Sequence, residues 1–287
     1  MTARGRVQTC VIFALLIFVD LASGLVRGHV RNARAMRTKL CMLAEWSGCK
    51  IVSNKAEAEG LRLVEVAAAA ELVSLYTTPG QYVKIKVGEG KPGFYAIASA
   101  PDVAKETLTF LVKVTENNQF LSAAQGGDVV DLSAPQGKGF NIVEGFDKYK
   151  YDFPTTNVVL MATGSGLAPI AAAIEWGPLS LRKISANSLF ERTATLYIGA
   201  RNEESLPFRS KYSDWEQKGV TIIPVLSQAS SSWKGRTGYI QDALTTDGVK
   251  TPRNSGVLLC GHRGMTDAVK ELCLSQGVFE GRLLLNF

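Results

Sequence analysis

The sequence predicts two folded domains in tandem, an antiparallel β-barrel of the Greek-key type followed by an α/β domain with a doubly wound parallel sheet. Three observations support this prediction. Short segments that alternate apolar and polar residues fill positions 61–134, which is typical of a closed antiparallel barrel. After position 157, apolar strands alternate with helical segments, as in a parallel sheet covered by helices. Three of these later strands run into a glycine, at the sheet edge where such domains bind ligands.

The N-terminal sixty residues differ from the rest of the chain in charge. The protein has 287 residues and a formal net charge of +6. Residues 1–60 hold nine basic side chains against four acidic ones, so the remainder is nearly neutral. A nucleic-acid-binding domain carries its positive charge on the folded part, and we therefore exclude a nucleic-acid partner.

The same region predicts a targeting leader. Arg4 and Arg6 precede a short apolar segment, 11–19, and small residues follow it, which predicts a signal peptide over 1–24. The apolar segment is too short for a stable membrane span. Residues 25–55 are basic and poor in acids, which predicts a transit-like segment. The tandem resembles the bipartite leaders of plastid proteins in algae with secondary plastids and implies a location in the plastid stroma; the alternative is a secretory leader with a basic linker.

The first folded domain is predicted over 56–146. Strict alternation over 82–87 predicts a half-buried strand, and one short helix is predicted within 117–125. The other predicted strands of this domain are 61–69, 94–99, 107–114 and 128–133. A charged and aromatic segment, 145–156, breaks the pattern and marks the boundary between the domains.

The second domain is predicted over 155–287. Its predicted strands are 158–162, 194–199, 220–226, 256–260 and 283–285. Its predicted helices are 167–181, 208–217, 239–244 and 265–275. The alternation implies a parallel sheet with its ligand at the carboxyl ends of the strands.

The chain is organised around the strand 158–162 and the turn that follows it. Gly164 and Gly166 allow a tight turn and a close approach of a ligand to the backbone. The helix that begins at Leu167 offers unpaired N–H groups and a positive dipole end, which suit a diphosphate. Pro169 is tolerated in the first helical turn. The arrangement predicts a nucleotide site, and the alternative is a structural turn of an α/β domain.

Two further strand ends meet this turn at the same sheet edge. One strand ends at Gly199, two residues before Arg201, and another ends at Cys260, just before Gly261. Cys260 either contacts the ligand or packs as a small apolar residue. With Cys273 as the other cysteine of the folded part, the sequence predicts neither a disulfide framework nor a metal site.

The order of the segments ATGSGLAP, YIGAR and CGHRGM behind a barrel resembles the ferredoxin–NADP reductase superfamily of flavin reductases. The similarity covers 61–287, and the second half looks like a plastid branch of plant proteins of unassigned substrate. The resemblance implies FAD on the barrel, NADH or NADPH on the sheet, hydride transfer from nucleotide to flavin, and an unknown electron acceptor that is a separate molecule.

On the flavin side, the resemblance places FAD at 93–99. Tyr95 matches the ring that packs on the isoalloxazine, and Ser99 matches a position in the same segment. Gly93 replaces the arginine that pairs with the flavin diphosphate, and Ala96 replaces a hydroxyl residue near the flavin. Losing such a charge-assisted contact costs about 1.5–3 kcal/mol. The second flavin motif of the family is also absent, and Lys113 is a candidate source of phosphate-binding charge or a solvated lysine.

On the nucleotide side, the resemblance implies that Cys260 helps to place the nicotinamide carbon and that Phe287, the terminal aromatic residue, stacks on the flavin. Ser227 and Gln228 stand where NADP enzymes of the family carry Ser-Arg. Arg236 either reaches a 2′-phosphate or is a surface charge. The choice between NADH and NADPH therefore stays open. The remaining implied cofactor-binding residues are Thr163, Gly164, Gly166, Pro169, Gly199, Arg201, Gly261 and Met265.

The sequence therefore predicts a flavin-dependent oxidoreductase. Two alternatives stay open. The first is a catalytically silent, reductase-like nucleotide-binding or scaffolding subunit of a plastid electron-transfer complex, which Gly93 and Ala96 favour. The second is an NAD(P)-binding protein whose barrel takes a different small ligand.

Overall fold

The computed structural model describes residues 45–147, 151, 153–181 and 192–286. Both predicted sheets lie within one compact unit, Gly48–Phe287. The leader predicted over 1–24, and most of the transit-like segment, lie outside the described residues. Among the described residues, no helix is long and apolar enough to cross a membrane.

The first sheet is a six-stranded antiparallel barrel. Its strands are β1 (Ser47–Ala58), β2 (Leu61–Ala67), β3 (Tyr82–Lys86), β4 (Gly93–Ala96), β5 (Thr107–Lys113) and β6 (Val129–Leu132). They are ordered β4-β3-β6-β1-β2-β5. A bridge between Ile97 and Phe110, with the Ala98 N–H donating to the Thr109 carbonyl at 2.7 Å, returns the chain after β4 to β5 and closes the barrel. The predicted barrel is confirmed.

The barrel begins earlier than the sequence predicts. β1 starts at Ser47, whereas the boundary was predicted at residue 56, inside this strand. The strand carries Lys50 and Lys55, and this positive charge made it read as part of the leader. Two short helices, α1 (Ala70–Val73) and α2 (Gln119–Ser122), also lie between barrel strands, and only the second was predicted.

The second sheet is parallel, with the strand order β10-β9-β8-β7-β11-β12. Its strands are β7 (Asn157–Thr163), β8 (Thr193–Ala200), β9 (Val220–Leu226), β10 (Arg236–Thr237), β11 (Ser255–Cys260) and β12 (Leu283–Leu285). The central strands β7 and β11 are almost wholly buried, because helices cover both of their faces.

In the part of the chain that the structure describes, four helices cover this sheet, and the doubly wound fold is confirmed. They are α3 (Leu167–Glu175), α4 (Tyr212–Gln217), α5 (Ile240–Asp247) and α6 (Arg263–Ser275). Helices α3 and α4 pack into one apolar cluster, and α5 and α6 pack into another with the opposite side chains of the strands. Helix α3 ends six residues before its predicted end at 181, where the chain turns at Trp176 into an extended conformation.

The barrel and the sheet share an apolar core. The cluster that contains α3 also contains Leu61, Leu111 and Phe140 from the barrel. Residues 167–174 of α3 are buried throughout. Because α3 lies between the barrel and the sheet, the turn that precedes it is held beside β5.

Candidate functional site: a cleft between sheet edge and barrel

A cleft of about 700 Å³ lies at the carboxyl ends of β7, β8 and β9 and at the start of α6. The barrel forms its opposite wall with the β1–β2 turn and the end of β5. The predicted residues that line the cleft are Lys113, Thr163, Gly164, Gly199, Arg201, Ser227 and Met265. The ends of β7, β8 and β9 and the start of α6 therefore border one cavity of the size typical of small-ligand sites,.

The two glycines of the turn Gly164–Gly166 have different roles. Gly164 lines the cleft, and its φ of +54° is a left-handed conformation that glycine adopts readily,. A Cβ at this position would meet no atom within 4 Å. Gly166 packs against β11, where a Cβ would lie 2.5 Å from the Cys260 carbonyl oxygen. Both glycines were predicted to make room for a ligand, and Gly164 leaves open space beside the cleft. At Gly166 the space is taken by the neighbouring strand.

The end of β7 is joined to the start of α6. The Thr163 hydroxyl accepts a hydrogen bond from the His262 N–H at 3.3 Å, and Gly261 leaves room for the Thr163 hydroxyl and the Met265 methyl group. His262 caps α6, because its Nδ1 accepts from the Gly264 N–H at 3.2 Å. Pro169 is buried in the first turn of α3 and does not appear among the described cleft residues.

The other end of the cleft is formed by the residues that follow β8 and β9. The Ser227 N–H donates to the Ala200 carbonyl at 3.0 Å, and the Gln228 N–H donates to the Arg201 carbonyl at 2.7 Å. These bonds hold Arg201 and Ser227 side by side at the rim. At Gly199 a Cβ would lie 2.8 Å from Thr163 Cγ2, so this glycine permits close packing of β7 and β8.

Several residues of the cleft were not predicted, and Glu59, Tyr239 and His262 are among them. His262 directly follows a glycine-terminated strand, a signal that could have identified it. Tyr239 precedes α5 and is 61% exposed, which is unusual for a large aromatic residue. Glu59 lies in the turn after a strand that the sequence did not reveal.

Cys260 lies behind the cleft. It is 5% exposed and is absent from the described residues that line the cavity. Burial raises the pKa of its thiol to about 12, and the Asn286 side chain acts in the opposite direction. Of the two predicted alternatives, the structure therefore favours the one in which Cys260 packs as a small apolar residue, because its side chain belongs to the core cluster. Its carbonyl oxygen lies close to Gly166.

Arg236 lies on another side of the domain. Its guanidinium donates to Asp247 Oδ1 at 2.6 Å and to the Ala243 carbonyl at 3.3 Å. It lines a separate groove of about 290 Å³ on the face of the sheet. Of the two predicted alternatives for Arg236, this geometry favours the surface charge, because Asp247 engages the guanidinium away from the main cleft.

The predicted flavin residues on β4 lie on two faces of the strand. Tyr95 pairs with Val83, which is fully buried, so both side chains point towards the barrel core. The Tyr95 ring crosses Gly93, where a Cβ would lie 2.6 Å from Tyr95 Oη. Burial raises the pKa of Tyr95, and a hydrogen bond with Asn118 acts in the opposite direction.

Two other predicted flavin residues have packing roles. The Ser99 hydroxyl accepts from the Thr109 N–H at 3.2 Å, and its carbonyl accepts from the Tyr76 hydroxyl at 2.8 Å, so Ser99 helps to close the barrel. Ala96 packs on the cluster that contains α3.

Phe287, which was predicted to stack on the flavin, lies outside the described residues.

The residues of β4 fit the ring of a flavin but not its diphosphate. Tyr95 is half-buried and packs against the core cluster of the barrel. The Tyr95 ring also occupies the space above Gly93, so this position supplies neither charge nor room for the diphosphate. Among the described residues, no group of three or more His, Cys, Asp or Glu is placed to hold a metal ion.

Comparison with known proteins agrees with this geometry. Residues 160–271 match the oxidoreductase NAD-binding domain family. The fruit protein pKIWI502 of Actinidia deliciosa is 32% identical over 235 residues, which are 78% of this chain and 70% of the fruit protein. The xylene/toluene monooxygenase electron transfer component XylA of Pseudomonas putida is 29% identical over 210 residues, 70% of this chain and 54% of that protein.

A solved structure has the same fold. The ferredoxin NADP+ reductase of Neisseria gonorrhoeae, with bound FAD and NADP, aligns with a TM-score of 0.67 at 19% identity over 85% of this chain and 98% of its own. The relatives support FAD and a nicotinamide nucleotide as the cofactors of this family, as the sequence predicts. The chain belongs to the ferredoxin–NADP reductase superfamily.

Proposed function

We propose that the protein is an NAD(P)H-dependent flavin oxidoreductase. The observation that carries this proposal is the cleft itself, in which three strand ends of the NAD-binding domain face the β1–β2 turn and the end of β5 of the barrel. A nucleotide on the sheet edge thereby lies against the domain that holds flavin in this family. Holding two reactants in a fixed geometry is the main contribution a protein makes to hydride transfer.

The cleft residues match the parts of a dinucleotide. Gly164 offers an open turn at a helix start, and Lys113 lines the cavity from the barrel side, so this part of the cleft favours a diphosphate. The exposed ring of Tyr239 offers a stacking surface for adenine at the β9 end. Met265 and Thr163 form the β7 end, where the nicotinamide would lie nearest to the barrel junction.

FAD, when bound, accepts the hydride and passes electrons on to an acceptor. Tyr95 and the backbone of β4 would hold its ring at the barrel. The relatives named above include an electron transfer component of a monooxygenase, and this supports a separate protein as the acceptor here. The identity of that acceptor is set by surfaces that differ among family members.

The direct test is oxidation of NADH and NADPH by the purified full chain, with added FAD and an artificial electron-accepting dye. We expect oxidation of at least one nucleotide that depends on FAD. A protein that oxidises neither nucleotide under these conditions contradicts the proposal.

A second candidate function is a reductase-like scaffolding subunit that binds nucleotide without turnover. The Tyr95 ring over Gly93 favours it, because this arrangement removes the diphosphate contact of the family. It predicts that NAD+ raises the melting temperature and that FAD does not. A rise in melting temperature with FAD contradicts this second candidate.

We also propose that the residues before β1, 1–46, direct the protein to a plastid. The basic segment behind a short apolar core supports the proposal,. Fusion of these residues to a fluorescent protein in an alga with a secondary plastid tests it. Fluorescence in the plastid is expected, and secretion of the fusion contradicts it.

A further inference from the structure

The end of the cleft at β9 is where the adenosine ribose of a bound dinucleotide would lie. With the diphosphate at the β7 turn, β9 is two strand spacings away, about 10 Å across the sheet. This is roughly the distance from a diphosphate to the far edge of the attached ribose. The polar residues that line the cavity at this end include Glu59, Arg201, Ser205 and Ser227, beside Tyr239. This placement rests on the proposed function.

A carboxylate is fixed at this end of the cleft. Glu59 Oε2 accepts hydrogen bonds from Asn202 Nδ2 at 2.8 Å and from the Ser205 hydroxyl at 3.0 Å. The Glu59 N–H also donates to the Glu204 carbonyl at 2.7 Å. The carboxylate is therefore positioned before any ligand arrives.

The whole β1–β2 turn is anchored in the same way. Glu57 Oε1 accepts from the Phe208 N–H at 2.7 Å, and Phe208 has a left-handed φ of +58°. Two acidic residues of the barrel thus hold the segment 202–208 of the NAD-binding domain. Glu59 stays at the rim because both its side chain and its backbone are tied to this segment.

Glu59 is ionised at neutral pH. The hydrogen bonds from Asn202 and Ser205, and the nearby positive charge of Arg201, lower the pKa of its carboxyl group. Among the described residues that line the cleft, it is the single acidic side chain. Its charge also offsets that of Arg201, the arginine best placed to meet an added phosphate.

With the dinucleotide placed in this way, the Glu59 carboxylate lies at the end of the cleft where NADH and NADPH differ. A ribose 2′-hydroxyl can donate a hydrogen bond to a carboxylate, as in other dinucleotide-binding domains. A 2′-phosphate carries a charge of about −1.5 to −2 at neutral pH and is repelled by a fixed carboxylate. We propose that Glu59, a residue of the barrel, makes the cleft selective for NADH over NADPH.

Calorimetric binding of NAD+ and NADP+ tests this without turnover. We expect the wild-type protein to bind NAD+ about tenfold more tightly than NADP+. The variant Glu59→Gln keeps the size and the hydrogen-bond acceptor, and it should reduce this ratio about fivefold or more through tighter binding of NADP+. Glu59→Asp keeps the charge and should keep the preference.

The matched control is Glu204→Gln, which removes the same charge from an exposed neighbour outside the described cleft residues. Its binding ratio should equal that of the wild type. An unchanged ratio in Glu59→Gln, or a wild-type preference for NADP+, overturns the inference. Binding of neither nucleotide to the wild type overturns the proposed function instead.

The salt dependence of the wild type gives a second measurement if Glu59→Gln does not fold. Repulsion between charges is screened by salt, so the affinity for NADP+ relative to NAD+ should rise between about 0.05 and 0.5 M NaCl. A relative affinity that falls over this range contradicts a repulsive carboxylate and points to a cationic phosphate site.

Discussion

Gly166 lies directly against the main chain of Cys260, and a Cβ at position 166 would stand 2.5 Å from the Cys260 carbonyl oxygen. The turn that begins α3 and the strand beside it therefore share one packed contact under the cleft. The atoms that a larger residue would meet are backbone atoms of 260 and 261, which cannot move independently of β11.

We predict that Gly166→Ala destabilises the protein by about 2 kcal/mol, the usual cost of overpacking, and lowers the melting temperature by several degrees. It should also weaken NAD+ binding, because the shifted turn carries Gly164. The control is Gly177→Ala, where a Cβ meets no atom within 4 Å and φ is not positive. Equal melting temperatures for both variants would contradict this account of Gly166.

The Cys260 thiol should react slowly in the native state. Burial raises its pKa to about 12 from 9.0, and only the thiolate is nucleophilic. We predict alkylation by iodoacetamide at about pH 8 to be roughly a hundredfold slower or more in native than in unfolded protein. Peptide mass spectrometry provides the measurement, and rapid native labelling would place the thiol in the open cleft.

The same shift has a consequence for stability. The unfolded state ionises Cys260 near pH 9, whereas the native state keeps the proton up to about pH 12. The native state therefore binds more protons over this range, and the free energy of unfolding falls as pH rises above about 9. Cys260→Ala should make the unfolding free energy less sensitive to pH between 9 and 11. An unchanged pH dependence contradicts a buried, protonated thiol.

Restoring an arginine at position 93 should strengthen FAD binding. The obstacle is the end of the Tyr95 side chain, which can swing away, and a charge-assisted diphosphate contact is worth about 1.5–3 kcal/mol. We predict that Gly93→Arg lowers the FAD dissociation constant about tenfold, measured by flavin fluorescence. Val103→Arg adds the same charge at a site 72% exposed and should have no effect. A similar gain in both variants would contradict a local contact.

Loss of Arg236 should affect stability and leave nucleotide choice unchanged. Its pair with Asp247 is partly exposed, with side-chain exposures of 39% and 22%, so Arg236→Gln should cost about 1 kcal/mol of stability. The ratio of NADP+ to NAD+ affinity should equal that of the wild type, because Asp247 holds the guanidinium outside the cleft. A selective loss of NADP+ binding would return Arg236 to the nucleotide site.

Much of the fold was predictable because its central strands are apolar throughout. The run at 158–162 identified β7, and the glycine after each strand identified the edge where the cleft lies. β1 was missed because a half-exposed barrel strand with two lysines has no apolar run, and its pairing with β2 is visible only in three dimensions. Glu59 was missed with it.

The direction in which a side chain points was the other property that the sequence could not predict. Cys260 ends a strand at the correct edge, yet its thiol points into the core and its carbonyl meets Gly166. Arg201 and Arg236 are equally plausible phosphate ligands in sequence. What distinguishes them is Asp247 in the last turn of α5, which accepts a hydrogen bond from the Arg236 guanidinium.

The most direct test of the central claim is anaerobic mixing of the FAD-loaded protein with NADH in a stopped-flow spectrophotometer. The predicted result is bleaching of the flavin absorption at about 450 nm. The rate of bleaching should saturate as the NADH concentration is raised, and it should fall when the transferred hydrogen is deuterium. A flavin spectrum that NADH and NADPH both leave unchanged would contradict hydride transfer between the two sites.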